Sequence, residues 1–145
     1  MDRQVIEQKL ESLRRCLARL ESKRPAQAAD LLNDIDLQDI VSLNLSRAVQ
    51  ISVDIAAHLV SGMDVAPPAT MGQTFALLAQ QQVLPADLAV RMKKAVGFRN
   101  IAVHSYEAIN WEIVYSIIKF HLDDFSAFAK IIAQHTSSHQ SQKLT

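Results

Sequence analysis

Cysteine occurs once in this 145-residue chain, glycine three times and proline four times. One thiol, Cys16, excludes an intrachain disulfide framework and a cysteine-rich zinc knuckle, and fits a reducing compartment. So few turn residues argue against a sheet protein built on tight turns. A charge excess is missing too. Fifteen Lys and Arg balance fifteen Asp and Glu, so no global field draws the chain onto nucleic acid. The opening stretch MDRQVIEQKLESLRR is charged from its second residue and does not read as a secretory signal. No apolar run of bilayer-spanning length stands out. There is no Glu-x-x-His pair, the five histidines are scattered and the glycines lie far apart. A di-iron carboxylate bundle, a dedicated metal site and a glycine-rich phosphate loop are therefore not expected. These absences predict a cytoplasmic protein with no metal and no cofactor.

What remains favours helix. Hydrophobic residues make up 49% of the chain, enough for one domain with a real core. Ile6, Leu10, Leu13, Leu17 and Leu20 recur at spacings of three and four, which predicts a first helix over 2–23 with Cys16 as a small filler beside the stripe. Residues 24–36 read as a connection with a helical turn near 28–33. A second long helix is expected over 37–61, with Val41, Leu45, Ala48, Ser52, Ile55 and Leu59 as its core stripe and Gly62 at its end. Pro67 and Pro68 make the next stretch a loop. A short helix follows over 74–82, and a fourth runs from Pro85 through GFRNIAVHSY at 97–106. Asn110 is placed to cap a last helix over 111–134. There Val114, Ile118, His121, Phe125, Phe128 and Ile132 share one side. Ile113, Ile117 and Phe120 widen that side enough for two neighbours, one of them a second subunit. The expected fold is an all-α, up-and-down bundle of four to five helices over 1–135, with a polar, frayed tail at 136–145.

Two polar features interrupt this packing pattern. Arg47, Gln50, Asp54 and His58 form a line along the second helix. It reads as a solvated face with an Asp54–His58 pair, or as a polar wall on which Asp54 orients a His or Arg. The second feature is RNIAVHSY. On an ideal helix Arg99 shares a face with Leu88, Met92, Ala95 and Ala102, where a guanidinium needs an anion. That anion is either a carboxylate of the bundle or a ligand phosphate, which Arg grips with its planar fork. Asn100 and His104 share a side one turn apart, whereas Arg99 and His104 diverge on an unbroken helix. The helix must loosen or end near Val103, or two subunits must share the site. Arg plus His suffices to cut RNA without metal. The 2′-OH is the nucleophile, an imidazole takes its proton, and the guanidinium stabilises the charged phosphate.

The spacing Arg-Asn, His, Tyr in RNIAVHSY resembles the signature of HEPN-domain toxins, specifically the HepT-like family. RAVQISVDIAAHL resembles that family's second helix, and the elements follow in the same order over most of the chain. The resemblance implies a homodimeric, metal-independent endoribonuclease of a toxin–antitoxin pair, acting on cellular RNA, including transfer RNA. Its catalytic pair would be Arg99 and His104 at a dimer cleft, with Asn100 and Asp54 as auxiliary residues. It also implies a minimal nucleotidyltransferase as antitoxin, able to place AMP on Tyr106. Arg91, Lys93, Lys94 and Arg99 are expected to make the cleft locally basic. Two alternatives stand beside this. One is a non-catalytic module whose cleft holds a nucleotide or partner. The other is a purely structural bundle in which Arg99 pairs with Asp54 or another carboxylate.

Overall fold

The computed structural model describes the backbone of residues 2–144 and the side chains of 2–138. Seven α-helices and one 3₁₀ turn make up its regular structure. Helix α1 covers Arg3–Lys23, α2 Ala28–Leu32, α3 Ile35–Ser61, α4 Met71–Gln80, α5 Ala86–His104, α6 Trp111–Phe120 and α7 Leu122–Leu144; the 3₁₀ turn is Tyr106–Ala108. Four of the helices start where short polar side chains accept from otherwise unpaired amides. Asp2 accepts from Gln4 N, Asp34 from Leu37 N, Thr70 from Gln73 N, and Asn110 from Glu112 N and Ile113 N.

Helix α3 is the centre of the bundle, packing on α1, α2, α4, α5 and α7. Ile6, Leu13 and Leu20 of α1 are fully buried, as are Val41, Ala48 and Ile55 of α3. Phe75 of α4 meets Phe128 of α7 edge to face at 5.8 Å, a favoured aromatic geometry. Among the described helices α3 alone has the length and hydropathy of a membrane span, which the sequence reading did not single out. Its apolar side is instead spent on the core, where more than half of that window is buried.

The expected last helix is broken. It stops at Phe120, and His121 adopts φ −123° and ψ 4° before α7 begins. Val114, Ile118, Phe125, Phe128 and Ile132 are buried as the stripe predicts, but at the break Leu122 is buried in place of His121, which is exposed. Asp124 holds this corner, accepting from Arg91 Nε at 2.9 Å and lying 3.3 Å from His121 Nδ1. With α2 formed in the connection, the helix count exceeds the expected four to five. Helical backbone in α7 continues to Leu144, through most of the segment expected as a frayed tail; Thr145 lies outside the described residues.

One backbone position is strained. Gln82 has φ 61°, because α4 ends in a Schellman turn: Val83 N donates to Leu78 O at 2.9 Å and Gln82 N to Ala79 O at 3.0 Å. A left-handed residue at this place is normally glycine. Gln82→Gly is expected to raise stability by up to about 1 kcal/mol, the left-handed penalty less the extra chain entropy of glycine. Chemical denaturation measures it, and an unchanged or lower midpoint would contradict the strain.

Candidate active site

The last turns of α5 are where the bundle opens. Leu88, Ala89, Met92, Val96 and Phe98 are buried, and Ala95, Arg99 and Ala102 half-buried. Asn100, Ile101, Val103 and His104 are exposed. Arg99 lies on the same line of the helix as Met92, as the spacing predicts, but at a level where the core has ended. Its Nη1 donates to Asn100 Oδ1 at 3.2 Å. Among the described residues it forms no ion pair with a carboxylate. Neither Asp54 nor another carboxylate of the described residues holds Arg99, as the structural alternative would need. Among the described residues its side-chain hydrogen bond goes to Asn100, a neutral acceptor.

Helix α5 does not loosen before His104. It ends on that residue, with Ser105 N donating to Ile101 O at 2.8 Å. Arg99 and His104 are five residues apart on continuous helix, so they point about 140° apart around the axis. Their side chains therefore leave the helix on different sides. Ser105 turns the chain out of α5, and Tyr106 opens the 3₁₀ turn directly beyond the His.

Tyr106 is held from two sides. Its hydroxyl donates to Asp39 Oδ1 at 2.6 Å, and its ring meets Trp111 edge to face at 5.9 Å. Burial of the hydroxyl, the hydrogen bond to Asp39 and the Asp39 charge push its pKa up to about 12. The sign of the linkage follows from the ordinary value of 10. Below pH 10 the tyrosine is neutral in both folded and unfolded chains, and its contribution is intact. Between pH 10 and about 12 only the unfolded chain ionises, so this contribution is lost as pH rises. A phenolate absorbance titration should show one tyrosine ionising near 12, and Asp39→Asn should bring it part of the way back. A titration unchanged by Asp39→Asn would contradict the assignment.

Other expected site features are rearranged. Asp54 accepts from Gln50 Nε2 at 2.9 Å and lies 3.8 Å from Lys9 Nζ, facing α1. It stands fifteen residues along α3 from Asp39, roughly 22 Å at helical rise, so the structure does not bring it to the motif. His58 does not pair with Asp54; its Nε2 accepts from Asp2 N at 3.3 Å. The expected basic group is also reduced. Arg91 bonds to Asp87 at 3.2 Å and Asp124 at 2.9 Å, which lowers the Asp87 pKa and raises its own. Lys93, Lys94 and Arg99 are the α5 cations of that group left without an acidic partner among the described residues. Asp39 is the residue that sequence reasoning missed. It lies 67 residues from Tyr106, and no local spacing signals the pair.

Beside the motif, α5, α6 and α7 enclose an apolar cleft of about 580 Å³, lined by Phe98, Ile101, Ile109, Ile113 and Ile117 among others. Ile113 is 58% exposed and Phe120 64%. No cluster of three or more His, Cys, Asp or Glu able to hold a metal ion occurs among the described residues.

Comparison with known proteins matches residues 6–132 to the family model described as "Ribonuclease HepT-like". The mRNA nuclease HepT of Shewanella oneidensis is 35% identical over 128 residues, 88% of this chain and 96% of that protein. The tRNA nuclease HepT of Aphanizomenon flos-aquae is 28% identical over 128 residues, 88% of this chain and 87% of that one. The fold is similar to that of a tri-AMPylated HEPN toxin from Shewanella oneidensis, solved in complex with its MNT antitoxin. The TM-score is 0.84 at 34% identity, covering 92% of this chain and 99% of that one.

Proposed function

This chain belongs to the HepT-like ribonuclease family, and we propose that it is the toxin of a toxin–antitoxin pair that cuts RNA without a metal ion. The observation that carries the reading is Arg99: half-buried, hydrogen-bonded to Asn100, and among the described residues without a carboxylate to neutralise it. A guanidinium kept in that state is ready for a phosphate. His104, exposed at the end of the same helix, removes the proton of the RNA 2′-OH as that oxygen attacks the adjacent phosphorus. Arg99 stabilises the charge gathered on the phosphate oxygens, and Asn100 steadies Arg99. The 5′-oxygen leaves, and the cut strand ends in a 2′,3′-cyclic phosphate.

The divergence of Arg99 and His104 on one helix makes the single chain incomplete. Two copies joined through the α5–α6 face bring the Arg99 of one toward the His104 of the other. The exposed Ile113 and the cleft beside it supply the apolar surface for that contact. Tyr106 is the residue on which a nucleotidyltransferase antitoxin places AMP, as the modified relative in complex with its antitoxin supports. Its ring is 39% exposed and thus open to a second enzyme. The added phosphate brings negative charge and bulk beside His104, blocks RNA and competes for Arg99.

The test is incubation of purified, unmodified protein with a broad RNA pool in EDTA. Cleavage that leaves cyclic phosphate ends is the expected result. Binding of nucleotide or partner with no cleavage in EDTA or in added divalent metal would move the assignment to a binding module.

A further inference from the structure

We propose that Asp39 is the general base for nucleotide transfer to Tyr106, holding the phenolic hydroxyl and taking its proton as the oxygen bonds to the α-phosphorus of ATP. The inference rests on the reading of Tyr106 as the modified residue and adds the group that activates it. Asp39 has no evident duty in building α3. The helix is capped by Asp34, and the acidic residue of its first turn is Asp36. Among the described residues Asp39 forms no ion pair, and its side-chain hydrogen bond is the one from Tyr106. Among the described residues no cation pairs with its carboxylate to lower its basicity. The 2.6 Å separation lies within the reach required of a base.

The orientation also fits. The phenol proton points at Asp39, which leaves the oxygen lone pairs open for attack, and Trp111 steadies the ring. A base is needed because this tyrosine ionises only near pH 12, so almost none is phenolate at neutral pH. In the step, the bond from Tyr106 Oη to the α-phosphorus forms and the bond from that phosphorus to the β-bridging oxygen breaks. Pyrophosphate leaves with the electron pair, and the proton moves to Asp39 and then to water. The product has no proton to donate to Asp39 and carries a phosphate anion beside it, so the Asp39–Tyr106 bond is lost on modification.

The experiment follows AMP transfer from ATP onto the full-length chain by its nucleotidyltransferase antitoxin, with mass spectrometry of the Tyr106 peptide. It compares the natural chain with Asp39→Asn and Asp39→Glu. In Asp39→Asn, kcat should fall about 100-fold or more, while KM for the toxin and the thermal midpoint stay near the natural values. The natural rate should be level across neutral pH. The Asn variant should gain about tenfold per pH unit, because attack then waits for phenolate. Asp39→Glu, which keeps the carboxylate, should recover much of the rate. An Asn variant modified at the natural rate, or slowed with an unchanged pH profile, would overturn the proposal. Absence of AMP on Tyr106 of the natural chain would remove the modification reading itself, and this inference with it. Normal modification of both natural and Asn chains would remove only the base.

Discussion

Arg99→Ala is expected to lower RNA cleavage by about 10² to 10³-fold, the usual cost of deleting one group that stabilises charge in the transition state. His104→Ala should lower it by about 10² to 10⁴-fold, the range for a lost general base. Both variants should keep their fold. Arg99 is half-buried and bonded only to its neighbour, and His104 is exposed, with no hydrogen bond among the described residues. Substitutions at such places change stability by about 0.5 kcal/mol or less. The contrast between a large kinetic loss and a small thermal one separates catalysis from scaffolding. Arg99→Lys should recover little, because an ammonium cannot offer the planar fork to a phosphate. Initial rates on one RNA, alongside thermal melts, measure all three. A variant that loses stability and activity together would return Arg99 to a structural role.

Ile113→Arg should give a folded monomer that does not cleave. Ile113 is 58% exposed in the single chain and lines the apolar cleft. In the proposed dimer it is buried against a second copy, a candidate hot spot worth about 2–4 kcal/mol on truncation. A charge at the same place adds repulsion between two symmetric copies. Arg99 and His104 remain intact in this variant, so a loss of cleavage reports the missing partner. Sedimentation gives the mass and RNA cleavage gives the consequence. A monomeric Ile113→Arg that cleaves normally would show that one chain holds a complete site.

Much of this was readable in the sequence where the physics is local. Spacings of three and four placed the stripes of the first two long helices, and Asn110 announced its helix because a cap acts on amides two and three residues away. RNIAVHSY marked the candidate site because Arg, His and Tyr sit on one short run of chain. What the sequence hid was set by contacts at long range. Asp39 is found only when α3 lies against the turn after α5. Arg91 looked like part of a basic group until Asp124, 33 residues away, was seen to hold it. Asp54 and His58 have helical spacing, but Lys9 and the Asp2 amide of α1 draw them to separate partners. The break at His121 is likewise unmarked by proline or glycine. It depends on Asp124, which Arg91 fixes in place.

The central claim is that Arg99 of one copy works with His104 of the other. Mixing Arg99→Ala with His104→Ala, each inactive alone, tests it most directly. Random pairing makes half of the dimers mixed, and each mixed dimer keeps one of its two natural Arg–His pairs. Activity should therefore return to about a quarter of the natural level in EDTA. A mixture as inactive as its components, with exchange of subunits verified, would contradict the shared site.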